Sequence, residues 1–170
     1  AVPAPQAIDL LEGTGFQQHG LLERAEYDPV WALLLEGDSA PRLEYEAYGS
    51  EEEPLSWIAA QHSRPGRPDE PAWIGLASRA WSREHLEDDR EDVRASLLDS
   101  FGRITGVRPD EGGIVHRWRY AIVSRPVGEP VLIDALRRIV ACGDWCLGAT
   151  FEHAVRSGHA ASEAMRHCIV

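Results

Sequence analysis

The sequence predicts an α+β fold, in which a β-sheet is covered by one long helix and the chain ends in a strand, a turn and a second helix. Segments in which apolar and polar residues alternate predict the strands, because successive side chains of a strand point to opposite faces. Apolar residues spaced three and four apart predict the helices. The 170 residues, of which 44% are hydrophobic, are enough to bury a sizeable core.

The first part of the chain predicts two short helical segments and a buried strand. Residues 5–11 predict a helix, and residues 13–20 contain the glycines typical of a loop. Residues 21–26 predict a further helical turn. Residues 30–35 form a continuous apolar run of the length expected for a buried strand.

Three more strands are predicted next along the chain. Apolar residues alternate with glutamates over residues 43–47, which predicts a half-exposed strand, and a similar alternation covers residues 55–59. The apolar segment 72–77 predicts the third strand, after a loop rich in Pro, Gly and Arg at residues 63–71. The three glutamates at residues 51–53 predict an exposed loop.

Residues 89–104 predict the long helix that covers the sheet. Its apolar face consists of Val93, Leu97, Phe101 and Ile104. Asp89 and Asp92 suit the start of the helix, because carboxylates interact favourably with the positive end of the helix dipole. Gly106 and Pro109 then predict where the helix ends.

The strand that follows carries the most chemically informative side chains. In an extended segment His116, Trp118 and Tyr120 share one face, and Arg117 and Arg119 share the other. The aromatic face could form a wall beside a flat ring system, and the arginine face could meet acidic neighbours or an anionic ligand. A cross-strand aromatic ladder with solvated arginines would explain the same pattern.

The chain ends in a predicted strand, a Gly-Asp turn and a helix. A loop at residues 126–130 and a short helix or turn at residues 131–138 lead to the strand. Thr150 is suited to cap the helix, whose apolar residues recur at helical spacing as Phe151, Val155, Gly158, Met165 and Ile169. The unpaired backbone N–H groups at the helix start suit an anionic or electron-rich ligand, although an ordinary turn and cap look the same in sequence.

Two groups of residues resemble metal ligands, and both have a simpler explanation. Cys142 and Cys146 form a single pair, which is a weak zinc signal, and with Cys168 the odd count predicts no disulfide framework. We expect structural cysteines in a reducing, cytoplasmic compartment. The second group is better explained as the solvated start of a helix and contains Glu84, His85, Glu87 and Asp88. The sequence therefore predicts no metal site.

The charge balance excludes two classes of partner. The formal net charge is −11, and all 17 basic residues are arginines. An acidic chain is repelled by phosphate backbones and by anionic membrane surfaces, so we expect neither nucleic acid nor membrane as a partner. The longest apolar run, at residues 30–35, is far too short for a membrane span, and no signal peptide is recognisable.

Seven blocks of the sequence together carry a family resemblance. They are residues 1–7, 57–59, 64–68, 81–86, 116–121, 141–145 and 148–161. They include Ala1-Val2-Pro3, His116-Arg117-Trp118-Arg119-Tyr120 and Gly143-Asp144-Trp145. In this order, and over nearly the whole chain, the blocks resemble the renalase-like branch of the flavin-dependent amine oxidase family.

The resemblance implies FAD as the cofactor and a dinucleotide-binding domain interleaved with a substrate domain built on a mixed β-sheet. It assigns residues 1–20 to the end of an FAD-domain strand and a connector, residues 21–135 to the substrate domain, and residues 136–170 to the C-terminal strand-turn-helix of the FAD-binding α/β domain. The residues it places against FAD are Val2, Pro3, Gly143, Asp144, Trp145, Thr150, Phe151 and Glu152. Those it places in the catalytic cavity are His116, Trp118 and Tyr120.

The chain departs from the family pattern at the dinucleotide fingerprint. It contains no Gly-x-Gly-x-x-Gly, and after Gly13 and Gly15 the third position is Gln18. The fingerprint lets backbone approach a pyrophosphate at a helix start, so its absence removes the main contact with the FAD diphosphate. We therefore expect the C-terminal half of an enzyme, whose partner is the missing N-terminal FAD-binding half. The opening Ala1-Val2-Pro3, which resembles the end of an interior strand, agrees with this expectation.

The resemblance predicts an FAD-dependent oxidoreductase that oxidises a reduced nicotinamide or an amine donor. Hydride would pass to the flavin and the electrons then to oxygen, and the activity would require the N-terminal half. The alternative is a stand-alone, non-catalytic module that derives from this domain and binds a small ligand or another protein.

Overall fold

The computed structural model describes residues 2–37, 40–50, 54–109 and 112–168. The glutamates at 51–53, predicted as an exposed loop, and Ile169, predicted on the apolar stripe of the last helix, lie outside the described residues.

The chain divides into two compact units. Unit 1 contains Ala1–Asp28 and Tyr120–Val170, and unit 2 contains Pro29–Arg119. These boundaries differ from the predicted segments 1–20, 21–135 and 136–170. The assignment of those segments to an FAD domain and a substrate domain stays a prediction.

Five helices and seven strands follow one another along the described chain. The helices are α1 (Ala4–Leu11), α2 (His19–Leu22), α3 (Arg79–Glu84), α4 (Arg90–Thr105) and α5 (Phe151–Cys168). The strands are β1 (Glu26–Glu36), β2 (Ala47–Gly49), β3 (Leu55–Ala60), β4 (Ala72–Ala77), β5 (Ile114–Arg125), β6 (Leu132–Asp134) and β7 (Ile139–Ala141). A single 3-10 turn, Asp144–Cys146, separates β7 from α5.

Unit 2 is built on a five-stranded sheet with the order β2-β3-β4-β1-β5. The first residues of β1 and the last of β5 belong to unit 1. Antiparallel pairing joins β2 to β3, β3 to β4 and β4 to β1, with Ala32 opposite Leu76. The α+β fold class predicted from the sequence is confirmed.

Helix α4 covers this sheet as the sequence predicts. Its buried residues Val93, Leu97 and Phe101 join a core that includes Trp31 and Trp73. The rings of Trp73 and Phe101 meet edge to face, with centroids 6.1 Å apart. Edge-to-face pairs of this kind add stability beyond the burial of apolar area alone.

Both ends of α4 are specified locally by the predicted residues. The side chain of Asp89 accepts a hydrogen bond from the backbone N–H of Glu91 at 2.8 Å, which caps the start. Gly106 ends the helix in the left-handed conformation, at φ 74°. A residue with a Cβ would be strained at that angle, so the glycine is required there.

Two of the predicted strands in unit 2 differ from expectation. The alternation over 43–47 does not form a strand of that length, since β2 begins only at Ala47. Glu44, Tyr45 and Glu46 are all exposed, so the alternation of apolar and polar residues in this segment does not correspond to a buried and an exposed face. In β3 the register shifts between Leu55 and Trp57, which leaves Trp57 exposed and breaks the predicted alternation.

Unit 1 has its own apolar core. Buried side chains from its two chain segments form this core, namely Ala4, Ala7, Phe16, Leu22, Val123, Leu132, Trp145 and Cys146. Strands β6 and β7 form an antiparallel hairpin, in which Leu132 lies opposite Ala141. The prediction of a short helix or turn over 131–138 is therefore corrected to a strand followed by a turn. In this turn Arg138 adopts the left-handed conformation, at φ 56°. The backbone N–H of Arg137 closes the turn by donating a hydrogen bond to the Asp134 carboxylate.

The predicted apolar stripe of α5 is not its buried face. Phe151 is 84% exposed, and Val155 and Met165 are exposed as well. The buried face carries Ser157 and Ala161 instead. Small side chains allow a helix to approach its neighbours closely. Close tertiary packing therefore buries the face with small residues and leaves the large apolar residues exposed.

The carboxylate of Asp134 ties three parts of unit 1 together. It accepts hydrogen bonds from the backbone N–H groups of Gln17, at 3.0 Å, and Arg137, at 3.1 Å. Burial alone would raise the pKa of Asp134, but these hydrogen bonds and the Arg137 guanidinium outweigh it and hold the pKa below its ordinary value. The ionised form therefore stabilises the fold.

We predict that this carboxylate makes unit 1 sensitive to acid. A pKa lowered by folding contributes stability that is present above the unfolded-state pKa and is lost as the pH falls through the folded-state pKa. Asp134→Asn should therefore be less stable than the unchanged chain at neutral pH, and the difference should shrink below the ordinary Asp range. Urea unfolding at several pH values measures this. The control is Asp69→Asn, which removes an exposed carboxylate, and an equal difference at every pH would contradict the prediction.

Candidate functional site

A cavity in unit 1 brings together residues that are distant in sequence. Its volume is about 400 Å³, and its lining consists of Val2, Pro3, Tyr27, Tyr120, Cys142, Gly143, Asp144 and Ala154. Small-molecule sites typically measure about 300 to 1,000 Å³. We call it the Asp144 cavity.

The N-terminal wall of the cavity is fixed by two hydrogen bonds. The indole Nε1–H of buried Trp145 donates to the carbonyl of Val2 at 3.3 Å. The backbone N–H of Ala4 donates to the hydroxyl of Tyr27 at 2.8 Å. Val2 and Pro3 are thus held in place by residues from two later segments, although they precede α1 and are not part of a strand. The assignment of these residues to the end of an FAD-domain strand stays a prediction, and Ala1 lies outside the described residues.

The turn beneath the cavity is anchored to α5 by a buried hydroxyl. Ser157 Oγ accepts from the backbone N–H of Gly143 at 3.1 Å and donates to the carbonyl of Pro130 at 2.7 Å. The thiol of Cys146 also bonds to Ser157, while burial raises the pKa of this thiol. A buried hydroxyl that both donates and accepts has no unmet hydrogen-bonding capacity to destabilise the fold.

Asp144 presents a carboxylate at the cavity surface. Its Oδ1 accepts from the backbone N–H of Trp145 at 2.8 Å. Within the described parts of the chain, the hydrogen bonds of Asp144 leave its other carboxylate oxygen available to a ligand hydroxyl or N–H.

Two tyrosines form the aromatic side of the cavity. The rings of Tyr27 and Tyr120 meet edge to face with centroids 5.5 Å apart. Burial raises the pKa of Tyr27 to about 12, and the nearby Asp144 charge adds to the effect, while the hydrogen bond from Ala4 opposes it. Tyr27 is therefore a neutral hydroxyl at physiological pH.

The predicted cap of α5 is confirmed. The hydroxyl of Thr150 accepts from the backbone N–H of His153 at 3.3 Å, and His153 Nδ1 lies 3.0 Å from that hydroxyl. Phe151 and Glu152 are exposed in the first turn. These three predicted cofactor residues, like buried Trp145, are not among the lining residues of the Asp144 cavity, and their cofactor contacts stay predictions.

The aromatic strand is extended, as predicted, over β5. His116 and Trp118 belong to unit 2, where their rings meet edge to face with centroids 4.4 Å apart. Trp118 is 55% exposed, whereas Tyr120, the third predicted catalytic residue, belongs to unit 1 and lines the Asp144 cavity. The catalytic role of all three stays a prediction.

The arginine face of β5 meets an acidic neighbour, which was one of its two predicted roles. Arg117 donates to a Glu87 carboxylate oxygen at 3.1 Å, and Arg119 donates to the same carboxylate at 2.8 Å. The hydrogen bond from Arg119 is the main reason why the pKa of Glu87 lies below its usual value. Arg117 also lies over the ring of Trp31, 5.5 Å from its centroid.

Sequence reasoning did not select three of the lining residues, Tyr27, Cys142 and Ala154. The sequence signal at Tyr27 is weak, because a tyrosine beside a buried strand is usually a packing residue. The sequence pattern at Cys142 indicates only a weak metal ligand or a structural cysteine. In the described part of the chain, no group of three or more His, Cys, Asp and Glu side chains could hold a metal ion. No helix among the described residues has the length and apolar character needed to cross a membrane.

Comparison with known proteins identifies the fold but not the family. No family model matches the chain. An Exiguobacterium sp. 255-15 protein named as a protoporphyrinogen oxidase has a crystal structure that matches 81% of this chain, with a TM-score of 0.55 and 17% identity. A putrescine oxidase double mutant matches 59% of the chain, with a TM-score of 0.48 and 14% identity. The chain spans 31% of the first structure and 22% of the second, so the first match shows a shared fold over about a third of that protein.

The backbone at Gly143 passes too close to Trp145 to carry a side chain. A Cβ at this position would lie 2.7 Å from Cδ1 of the Trp145 indole. The glycine of the Gly-Asp turn is therefore required by packing. Its φ of 172° is extended backbone that any residue can adopt.

We predict that Gly143→Ala destabilises the chain by about 1–3 kcal/mol, because the added methyl group overpacks the buried indole. The matched control is Gly158→Ala. Gly158 is a helical glycine with no atom near its added Cβ, and alanine there should stabilise the helix by up to about 1 kcal/mol. Denaturant unfolding measures both. Equal stabilities of the two variants would disprove the steric role of Trp145.

Proposed function

We propose that this chain is the C-terminal portion of an FAD-dependent oxidoreductase of the renalase-like amine oxidase type. It would oxidise a reduced nicotinamide or an amine donor by hydride transfer to flavin, with oxygen as the final acceptor. The observation that carries the proposal is the Asp144 cavity. Four residues that the family resemblance assigns to FAD, Val2, Pro3, Gly143 and Asp144, line this one space. The shared fold with part of a protein named as an oxidase gives further support.

The groups around the cavity fit a flavin. The edge-to-face tyrosines offer an apolar surface for a flat ring, and Asp144 offers an acceptor for a cofactor hydroxyl. The first backbone N–H groups of α5, at Phe151 and Glu152, would favour an electron-rich edge of the cofactor. Bound FAD would supply the hydride acceptor. The protein's part is to orient the ring and exclude water.

The proposal keeps His116, Trp118 and Tyr120 as the residues that contact the donor. His116 and Trp118 present exposed rings on one face of β5, and a ring of this kind can stack on a nicotinamide or an amine donor. Arg117 and Arg119 are engaged by Glu87, which supports a structural role for them. The donor is a small molecule in either case.

The proposal includes the N-terminal FAD-binding half as a partner. The chain lacks the glycine fingerprint that binds a diphosphate. Helix α5 also exposes Phe151, Val155 and Met165 on one side. Exposed apolar patches commonly mark protein interaction sites, so this side of α5 is suited to pack against another domain.

The second candidate is a stand-alone module that binds a small ligand without redox chemistry. One observation favours it: residues of this chain alone form the Asp144 cavity, and each unit has its own apolar core. The two candidates differ in whether the chain needs the N-terminal FAD-binding half in order to bind its ligand.

We predict that the isolated chain binds FAD weakly, and no more tightly than FMN. Without a diphosphate cradle, the adenosine part of FAD adds no contacts, so the two affinities should agree within about threefold. Flavin fluorescence titration measures both. Joining the chain to a dinucleotide-binding half should tighten FAD binding and leave FMN binding nearly unchanged. Tight, stoichiometric FAD binding by the chain alone would contradict the partner requirement.

We also predict that Asp144→Ala weakens FAD binding in the joined protein by roughly 1.5–3 kcal/mol, because a hydrogen bond to a charged acceptor is lost. Asp144→Asn is the matched comparison. It preserves an oxygen for the Trp145 N–H and removes only the charge, so its loss should be smaller. Equilibrium dialysis of FAD measures the effect. Unchanged affinity in both variants would place Asp144 outside the cofactor site.

A further inference from the structure

The hydroxyl of Tyr27 is held in one orientation by the chain itself. A phenol oxygen has one proton and accepts hydrogen bonds on its remaining side. The backbone N–H of Ala4 occupies the acceptor side at 2.8 Å. The hydroxyl proton must therefore point away from Ala4.

That proton has no acceptor among the described residues. The hydrogen bond from Ala4 is the one that Tyr27 makes there, and Tyr27 itself lines the Asp144 cavity. A polar group that is shielded from water normally needs a hydrogen-bond partner, so a molecule that displaces water from the cavity would have to accept this proton. The high pKa of Tyr27 keeps this proton in place across the physiological range.

The rest of the cavity complements this donor. Asp144 contributes an acceptor, and the Tyr120 ring meets that of Tyr27 edge to face. A ligand that satisfies the whole lining has a flat ring, an acceptor atom such as a carbonyl oxygen, and a separate donor group. Tyr27 binds such a ligand as a neutral hydrogen-bond donor, because burial raises its pKa to about 12.

We propose that Tyr27 is a ligand-orienting residue, whose hydroxyl donates a hydrogen bond to a ring carbonyl of the molecule in the Asp144 cavity. The proposal rests on the proposed function for the identity of that ring as a flavin. It assigns Tyr27 a role that neither the family resemblance nor the sequence pattern suggested. Tyr27 acts on binding and orientation, and no bond is made or broken at its oxygen.

The test compares two probes on three forms of the full chain. FMN carries ring carbonyls and an anionic phosphate, whereas an anthracene sulfonate is a flat tricyclic anion whose acceptor oxygens all belong to the sulfonate, so its ring offers Tyr27 no acceptor. The forms are the unchanged chain, Tyr27→Phe, and Tyr48→Phe as a control in unit 2. Tyr27→Phe should weaken FMN binding roughly three- to tenfold and leave anthracene sulfonate binding unchanged. Tyr48→Phe should change neither.

The pair of probes separates a ligand contact from a structural effect. Loss of the Ala4 hydrogen bond could loosen the cavity wall, but that would weaken both probes alike. Equal weakening of both probes, or unchanged FMN binding in Tyr27→Phe, overturns the orienting role and leaves the flavin proposal standing. If the unchanged chain binds FMN no better than anthracene sulfonate, the flavin proposal fails and the role of Tyr27 fails with it.

A second measurement applies if Tyr27→Phe folds poorly. In the unchanged chain, a ligand that accepts the Tyr27 proton polarises the hydroxyl and strengthens its bond with the Ala4 N–H. FMN should then shift the amide proton resonance of Ala4, and anthracene sulfonate should shift it much less. Equal shifts with the two probes would overturn the proposal.

Discussion

The buried indole of Trp145 is the constraint on which unit 1 depends. Its Nε1–H holds the carbonyl of Val2, its ring excludes a side chain at Gly143, and its body fills the apolar core. Burial of so large a side chain stabilises the fold more than burial of most other residues does. Its N–H needs a hydrogen-bond partner once it is buried. One residue thus fixes the N-terminal wall of the cavity and the path of the turn below it.

The orientation of helix α5 depends on the hydrogen bonds of a buried polar side chain as much as on the burial of apolar ones. The hydroxyl of Ser157 accepts a hydrogen bond from the backbone N–H of Gly143 and donates one to the carbonyl of Pro130. The helix must therefore direct this hydroxyl inward. The small residue Ala161 follows it into the interior, and the large apolar residues remain outside. The same interaction that closes the turn therefore creates the exposed apolar side that the proposed N-terminal half would cover.

Charge is distributed differently in the two units. In unit 1 the Asp144 cavity combines a carboxyl group that accepts hydrogen bonds with a tyrosine hydroxyl that donates one, and the raised pKa of Tyr27 keeps this hydroxyl neutral. In unit 2 the guanidinium groups of Arg117 and Arg119 share the carboxylate of Glu87 on the surface. Surface pairs of this kind contribute little stability, so their main effect is to hold two long side chains in a defined direction.

The sequence by itself determined the elements whose cause is local. Helix α4 with Asp89 and Gly106 at its ends, strand β4, and the Thr150 cap of α5 all follow from periodicity and from hydrogen bonds between near neighbours. It also selected Asp144 at the cavity. Only the tertiary structure decided the buried face of α5, the hairpin in place of the helix or turn predicted over 131–138, and the place of Tyr27 beside Ala4. These depend on contacts between residues far apart in sequence, whose geometry no local pattern contains.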